Sequence, residues 1–196
     1  MTLVTALFAL SVFSITLIVC LSIASLKFVG LHFFPPPEKG SWQYVTFWTL
    51  FRLLFFGLVA LSILDFESVT HANFTLRMYV ALPALILGFG LAFYLSFSLG
   101  WKNAHGQACG LVTSGWYSVS RNPVYVVSIL GMIGWAVFVG SFHVSILLVL
   151  WATLYIVAPF VEEPWLLKTY GIEYRTYQSE VPRFFGFRNL IQKLTK

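Results

Sequence analysis

Hydrophobic residues fall in long blocks along the chain, separated by short polar connections. Five apolar runs cover residues 2–26, 44–64, 78–99, 124–139 and 144–160. A membrane-spanning helix needs about 20 apolar residues, within a range of roughly 17–25. The first three runs reach that length, and the last two are shorter. The pattern predicts an all-α, polytopic transmembrane bundle of about five spans, because only closed hydrogen-bonded structures cross lipid.

The last two runs are joined only by residues 140–143, so they are expected to form a tight antiparallel helical hairpin. Within the fourth run, Gly131 and Gly134, together with Ser128, allow another helix to approach closely. The loop after the first run contains Pro35-Pro36-Pro37, which predicts a stiff, extended backbone.

The two ends of the chain differ in character. The first run has neither a charged segment before it nor a cleavage site after it, which predicts a retained helix, not a signal peptide. Residues 166–196 mix aromatic and basic side chains, which predicts one or two short helices in the membrane interface. We expect a single membrane domain, with three N-terminal spans in residues 1–99 and the functional region in residues 100–196.

Composition supports the membrane class. The chain is 59% hydrophobic and 10% charged, whereas soluble domains carry about 25% charged residues. The net charge of +5 is not arranged in a basic patch with interleaved aromatics, so nucleic acid is not an expected partner. Two cysteines, with no CxxC spacing, predict no disulfide framework.

The distribution of Lys and Arg gives an orientation. With five spans, ten of the twelve Lys and Arg residues lie on one side of the membrane. They are Lys27, Lys39, Lys102, Arg121, Lys168, Arg175, Arg183, Arg188, Lys193 and Lys196. The positive-inside rule then places the N-terminus outside and the C-terminus in the cytoplasm. Asp65 and Glu67, beside Arg77 on the other side, are expected in a solvated loop. The short chain favours a bacterial inner membrane.

Polar chemistry collects at two helix ends on the predicted cytoplasmic side. Arg121 precedes Pro123, which opens the fourth run. The first turn of a helix offers unpaired N–H groups and a positive dipole end, where a carboxylate can dock. An Arg at this depth is equally consistent with snorkelling or with lipid phosphate binding.

Glu162 and Glu163 end the fifth run. Adjacent helical residues do not share a face, so one can point inward, toward a cationic ligand, while the other meets water or a basic partner. Arg52 lies about 12 Å into the second span at the helical rise of about 1.5 Å per residue. It either lines a cavity or snorkels to the surface. Arg52 and Glu163 are our candidate substrate-binding residues.

Other site chemistries have no support in the sequence. The four histidines, His32, His71, His105 and His143, lie in separate connections without metal-ligand spacing, and we predict no metal site. No P-loop or GxGxxG is present.

The last ninety residues carry an ordered set of short motifs. In order they are Gly115-Trp116-Tyr117, Arg121-Asn122-Pro123-Val124-Tyr125, Glu162-Glu163-Pro164-Trp165-Leu166, Gly171-Ile172-Glu173-Tyr174-Arg175-Thr176-Tyr177 and Val181-Pro182-Arg183. Over roughly residues 100–187 this set resembles the isoprenylcysteine carboxyl methyltransferase and phospholipid methyltransferase superfamily of integral membrane enzymes. The first three spans match it only in being apolar.

The resemblance implies S-adenosylmethionine as cofactor, held at the cytoplasmic membrane surface. The cofactor-binding positions it implies are Cys109, Gly110, Leu111, Val112, Tyr117, Asn122, Pro123, Val124, Tyr125 and Glu162. Glu162 can take the ammonium group, and an aromatic face such as that of Tyr117 can stabilise the sulfonium. Arg121 is the candidate catalytic residue, because it can steer an anionic group of the acceptor or cofactor. The acceptor is expected to be a lipophilic small molecule or membrane lipid from the bilayer.

Two departures from the family pattern matter. Asn122 replaces a His and cannot titrate, which excludes a general base there. Ala158 stands where prenylcysteine methyltransferases carry a substrate-binding Arg. One alternative is an NADPH-dependent lipid or sterol-type reductase, but the cofactor's 2′-phosphate calls for clustered cations, and only Lys102 and Arg121 are near. The other is a non-catalytic membrane subunit. The sequence leaves the oligomeric state open.

Overall fold

A computed structural model describes residues 2–28, 30–100, 103 and 110–185. Within these residues the chain is helical and contains no strand. Its helices are α1 (Leu3–Lys27), α2 (Trp42–Leu64), α3 (His71–Thr75), α4 (Leu82–Ser98), α5 (Pro123–Val139) and α6 (Phe142–Glu180). A π-helical turn, Leu76–Ala81, joins α3 to α4, and a 3-10 turn, Gly115–Ser118, precedes α5.

The number of spans agrees with the apolar pattern. Among the described residues, four helices are long and apolar enough to cross a membrane: Leu3–Lys27, Trp42–Leu64, His71–Leu99 and Phe142–Glu180. The 17-residue helix Pro123–Val139 is shorter and lies at the lower limit of the spanning range. The prediction of a polytopic helical bundle is therefore confirmed.

Polar residues set the ends of the helices. Ser41 and Ser141 are N-caps whose hydroxyls accept from Tyr44 N at 3.2 Å and Val144 N at 3.1 Å. The predicted hairpin turns at Gly140, whose φ of 75° ends α5. Serine side chains thus satisfy the first free N–H groups of α2 and α6.

The helices pack in two groups that share α6. α1 packs against both α2 and α6, while α5 packs against α4 and α6. The buried core between α1, α2 and α6 includes Ile15, Ile18, Leu54, Leu58 and Leu147, each fully buried. This packing leaves the first halves of α2 and α5, the C-terminal end of α4 and the middle of α6 around one common space.

The fourth run makes the close approach that its glycines predicted, and its partner is α4. A methyl group on Gly88 of α4 would lie 2.3 Å from Gly131 N, and one on Gly134 would lie 2.4 Å from Leu85 N. These are backbone atoms, which have little room to move.

We therefore expect Gly88→Ala to destabilise the protein by about 1–3 kcal/mol through overpacking. The matched control is Gly90→Ala on the same helix, where a methyl group meets nothing within 4 Å. The measurement is the free energy of unfolding of both variants in mixed micelles. Equal stability of the two variants would contradict the close α4–α5 contact.

The acids predicted in a solvated loop are solvent-accessible and are also paired. Asp65 Oδ2 accepts from Ser141 Oγ and contacts His143 Nδ1 at 2.9 Å. The hydrogen bond from Ser141, and then that from His143, hold the pKa of Asp65 below its ordinary value. Glu67 forms an ion pair with the buried guanidinium of Arg77. These contacts tie the α2–α3 connection to the hairpin turn.

Residues 166–196 were predicted to form one or two short interfacial helices, and the start of this segment differs from that prediction. Residues 166–180 follow directly on the rest of α6. Within them, however, Gly171 has a non-helical backbone, with φ 56° and ψ −123°. Gln178 Nε2 lies 3.3 Å from Glu163 Oε2, whereas 15 residues of straight helix would separate them by about 22 Å. The chain therefore reverses at Gly171, where the positive φ favours glycine, and residues 172–180 form one short helix. Residues 186–196 of the predicted interfacial segment lie outside the described residues.

Candidate functional site

A cavity of about 310 Å³ opens between the ends of α2, α4, α5 and α6. This volume lies at the lower end of the range for small-molecule sites. Of the described residues that line it, two are charged, Arg121 and Glu162. The remaining lining is mostly aromatic and aliphatic, so these two charges dominate the electrostatics of the cavity.

One wall comes from the polar loop and the start of α5. Gly110, Leu111 and Val112 line it, and so do Tyr117 and the four residues 122–125. Pro123 fits the first turn of α5 because it needs no hydrogen-bond acceptor there. The unpaired N–H groups of that first turn lie at this wall, and they favour a negatively charged group of a ligand.

Glu162 supplies the negative charge. Its Oε1 accepts a hydrogen bond from Tyr125 Oη at 2.5 Å, and the Tyr125 ring lies 4.8 Å from that of Tyr155. The side chain is largely buried, and it faces a mostly apolar cavity. A carboxylate in such surroundings is stabilised by a cationic partner, which a ligand can provide.

Glu163 points elsewhere and joins two arginines. Its carboxylate is bound by Arg183, with Nε to Oε1 at 2.8 Å and Nη2 to Oε2 at 2.7 Å. Arg121 Nη2 lies 3.1 Å from Oε1. Glu163 raises the pKa of Arg183 above its ordinary value. The split expected for adjacent helical acids is therefore present: Glu162 faces the cavity and Glu163 faces basic partners.

The returning segment after Gly171 closes the cavity over the polar loop. Tyr177 Oη donates to Tyr117 O at 2.5 Å. Asn122 Nδ2 donates to Arg183 O at 2.9 Å, and Arg121 N donates to Pro182 O at 3.0 Å. Burial, reinforced by the Glu162 carboxylate, raises the pKa of Tyr117, so its phenol stays neutral.

The comparison with known families gives the family of the chain. A family model described as phospholipid methyltransferase matches residues 76–173, which is half of the chain. The chain belongs to the phospholipid methyltransferase family. No curated protein and no solved structure matches it. Family membership and the apolar helices together support a membrane methyltransferase.

The family match covers most of the cavity lining, and the first loop and α2 supply six further residues. Phe34, Pro35 and Pro36 of the first loop line the cavity, together with Phe47, Trp48 and Phe51 of α2. Phe51 packs edge-to-face on Trp151 with ring centroids 5.3 Å apart. This aromatic wall, defined as these six residues, lies outside residues 76–173 and was not predicted from the sequence. The usable signals were the prolines and the clustered aromatics at the start of the second run.

The structure brings most of the sequence-predicted site residues together. The cavity is lined by Gly110, Leu111, Val112, Tyr117, Arg121, Asn122, Pro123, Val124, Tyr125 and Glu162. Cys109 lies outside the described residues. The structure does not bring the two candidate substrate residues to the cavity lining. Arg52 is exposed on the outer side of α2, and Glu163 is occupied by arginines.

Proposed function

We propose that this phospholipid methyltransferase family member transfers a methyl group from S-adenosylmethionine to a lipophilic small molecule or membrane lipid. The observation that carries the proposal is the mixed lining of the cavity. Its polar side, here meaning Glu162, Arg121 and the start of α5, comes from the C-terminal half of the chain, and the aromatic wall comes from the first loop and α2.

The polar side fits the amino-acid end of the cofactor, which carries one ammonium and one carboxylate. Glu162 faces the cavity with the Tyr125 hydroxyl as its hydrogen-bond donor, and it can bind the ammonium. Arg121 and the first-turn amides of α5 suit the carboxylate. Tyr117 and Tyr125 provide aromatic faces, which attract a sulfonium. In the bound cofactor, that sulfonium activates the methyl group for displacement.

The aromatic wall suits the acceptor. Its six residues carry no charge, so an apolar chain or ring is favoured there over a charged group. Asn122 cannot accept a proton, and its amide donates to Arg183 O. The chain's contribution is then mainly to hold the two reactants in line and exclude water, and positioning of this kind can supply roughly 7–11 kcal/mol at best.

Calorimetric titration tests the cofactor assignment. The purified protein is titrated with S-adenosylhomocysteine and, separately, with NADPH. We expect saturable binding of S-adenosylhomocysteine and none of NADPH, because Arg121 is the one cationic side chain among the described residues of the cavity lining. The reverse result would replace the methyltransferase proposal with the reductase alternative.

The acceptor class gives a further prediction. Ala158 is buried and lines the cavity, so no Arg is available there for a prenylcysteine carboxylate, and burying that group without a partner is costly. With labelled S-adenosylmethionine, a membrane lipid extract should accept more label per unit time than a farnesylcysteine analogue. Efficient formation of a base-labile methyl ester on the farnesylcysteine analogue would contradict this assignment.

The topology also yields a prediction. The Lys and Arg distribution places the C-terminus and the cavity on the cytoplasmic side. A reporter protein that functions only in the cytoplasm should therefore be active when it is fused after Lys196. Activity of an export-dependent reporter at the same position would overturn the proposed orientation.

A further inference from the structure

Behind the cavity wall, Arg121, Glu163 and Arg183 form a compact cluster, here called the arginine clasp. The side chains of Arg121 and Glu163 are each 9% exposed, while that of Arg183 is 32% exposed. Arg183 binds both carboxylate oxygens of Glu163 and lies 4.0 Å from the Phe160 ring centroid. Arg183 is thus fully engaged on the side away from the cavity.

The charges of the clasp do not cancel. Two guanidinium groups share one carboxylate, which leaves one positive charge in excess. Because Arg183 takes the bidentate contact, the excess falls on Arg121, which lines the cavity. Glu163 Oε1 lies 3.1 Å from Nη2 of Arg121, which carries two of the five N–H donors of the guanidinium, and within the described part of the chain the buried Nε has no hydrogen-bond partner.

The contact between Glu163 and Arg121 is not needed to dock the returning segment. Two backbone carbonyls already hold that segment to the loop: Pro182 O accepts from Arg121 N, and Arg183 O accepts from the Asn122 side chain. What the Glu163 carboxylate adds is a fixed direction for the Arg121 guanidinium. A buried Arg without this partner would be free to turn from the cavity.

We propose that Glu163 is a positioning residue that holds the Arg121 guanidinium in the cavity wall as the receptor for the carboxylate of the cofactor. This inference rests on the proposed function. Glu162 then binds the ammonium group of the cofactor's amino-acid end, and Arg121 of the clasp binds its carboxylate. Glu163 acts only through Arg121. Glu163 itself contacts no ligand.

The test compares two ligands that differ by one carboxylate. Full-length protein is titrated calorimetrically with S-adenosylhomocysteine and with its decarboxylated analogue, which keeps the ammonium. The ratio of their dissociation constants is the carboxylate preference. A charge-assisted hydrogen bond predicts a preference of about tenfold or more in the unaltered protein. Glu163→Gln should lower the preference at least about threefold.

The matched control is Arg183→Lys, which keeps the positive charge of the clasp but removes the bidentate contact with Glu163, and it leaves the contact between Glu163 and Arg121 in place. A merely structural clasp predicts similar losses in both variants, whereas the positioning role predicts an unchanged preference in Arg183→Lys. Both ligands titrate the same folded fraction, so the preference does not depend on how much of a variant folds. If Glu163→Gln yields no folded protein, Glu163→Asp keeps the charge, and its shorter side chain should also lower the preference.

Three outcomes are distinguishable. An unchanged preference in the Glu163 variants overturns the positioning role. Binding of both ligands by the unaltered protein with equal affinity overturns the assignment of Arg121 to the carboxylate. No binding of S-adenosylhomocysteine by the unaltered protein overturns the proposed function itself.

Discussion

Replacing Glu162 with Gln should weaken the binding of S-adenosylhomocysteine about tenfold or more. The variant keeps the size of the side chain and removes the negative charge that faces the cavity. A hydrogen bond to a charged group contributes about 1.5–3 kcal/mol, and 1.4 kcal/mol corresponds to a factor of ten in the dissociation constant. The measurement is the dissociation constant from calorimetry on detergent-solubilised protein.

The control for Glu162 is Glu173→Gln. Glu173 lies on the same helix but beyond the reversal, is exposed, and does not line the cavity. The Glu173→Gln variant should bind S-adenosylhomocysteine with the same dissociation constant as the unaltered protein. If Glu162→Gln also binds normally, the ammonium is bound elsewhere and the polar side of the cavity has been misassigned.

Replacing Phe51 with Ala should impair use of the acceptor and spare the cofactor. Phe51 forms part of the aromatic wall and packs against Trp151. Full burial of a Phe side chain contributes about 1.5–3 kcal/mol, so we expect roughly a tenfold rise in the half-saturating mole fraction of a membrane lipid extract in micelles. The dissociation constant for S-adenosylhomocysteine should change by less than about twofold, because Phe51 belongs to α2, whereas the proposed cofactor ligands come from the polar loop, α5 and α6.

Phe56 offers the matched control for Phe51. It lies on the same helix and is 65% exposed, so Phe56→Ala removes the same atoms away from the cavity. Both variants should be compared for stability as well as for activity. Equal loss of acceptor use in the two variants would mean that α2 acts through general stability, not through the aromatic wall.

Most of the fold could be predicted from the apolar pattern, because lipid imposes helices of a minimum length. The apolar run at residues 124–139 corresponds to the helix Pro123–Val139, and the run at residues 44–64 corresponds to the helix Trp42–Leu64. The reversal at Gly171 was not predicted. A single glycine in a helical pattern does not specify a turn, and here the turn is stabilised by contacts distant in sequence, such as that between Gln178 and Glu163.

The site was predictable where the ordered motifs supply its residues. The polar loop, Arg121 and Glu162 share the cavity as expected from the ordered motifs. For the acid that points away from the cavity, the sequence predicted either water or a basic partner, because helical periodicity separates adjacent acids but does not say which distant arginines they meet. Arg52 was a candidate substrate-binding residue, but it does not line the cavity. Its depth in a span follows from its position in the sequence, whereas the helix face that it occupies depends on how α2 packs.

The most direct measurement is the conversion of S-adenosylmethionine to S-adenosylhomocysteine by the purified protein. The assay is run with and without membrane lipid extract and followed by mass spectrometry of both products. We predict lipid-dependent formation of S-adenosylhomocysteine together with an equal amount of methylated lipophilic product, and strongly reduced formation by Glu162→Gln at low cofactor concentration. No lipid-dependent turnover across bacterial membrane lipids and lipophilic small molecules, despite a folded protein, would contradict the account.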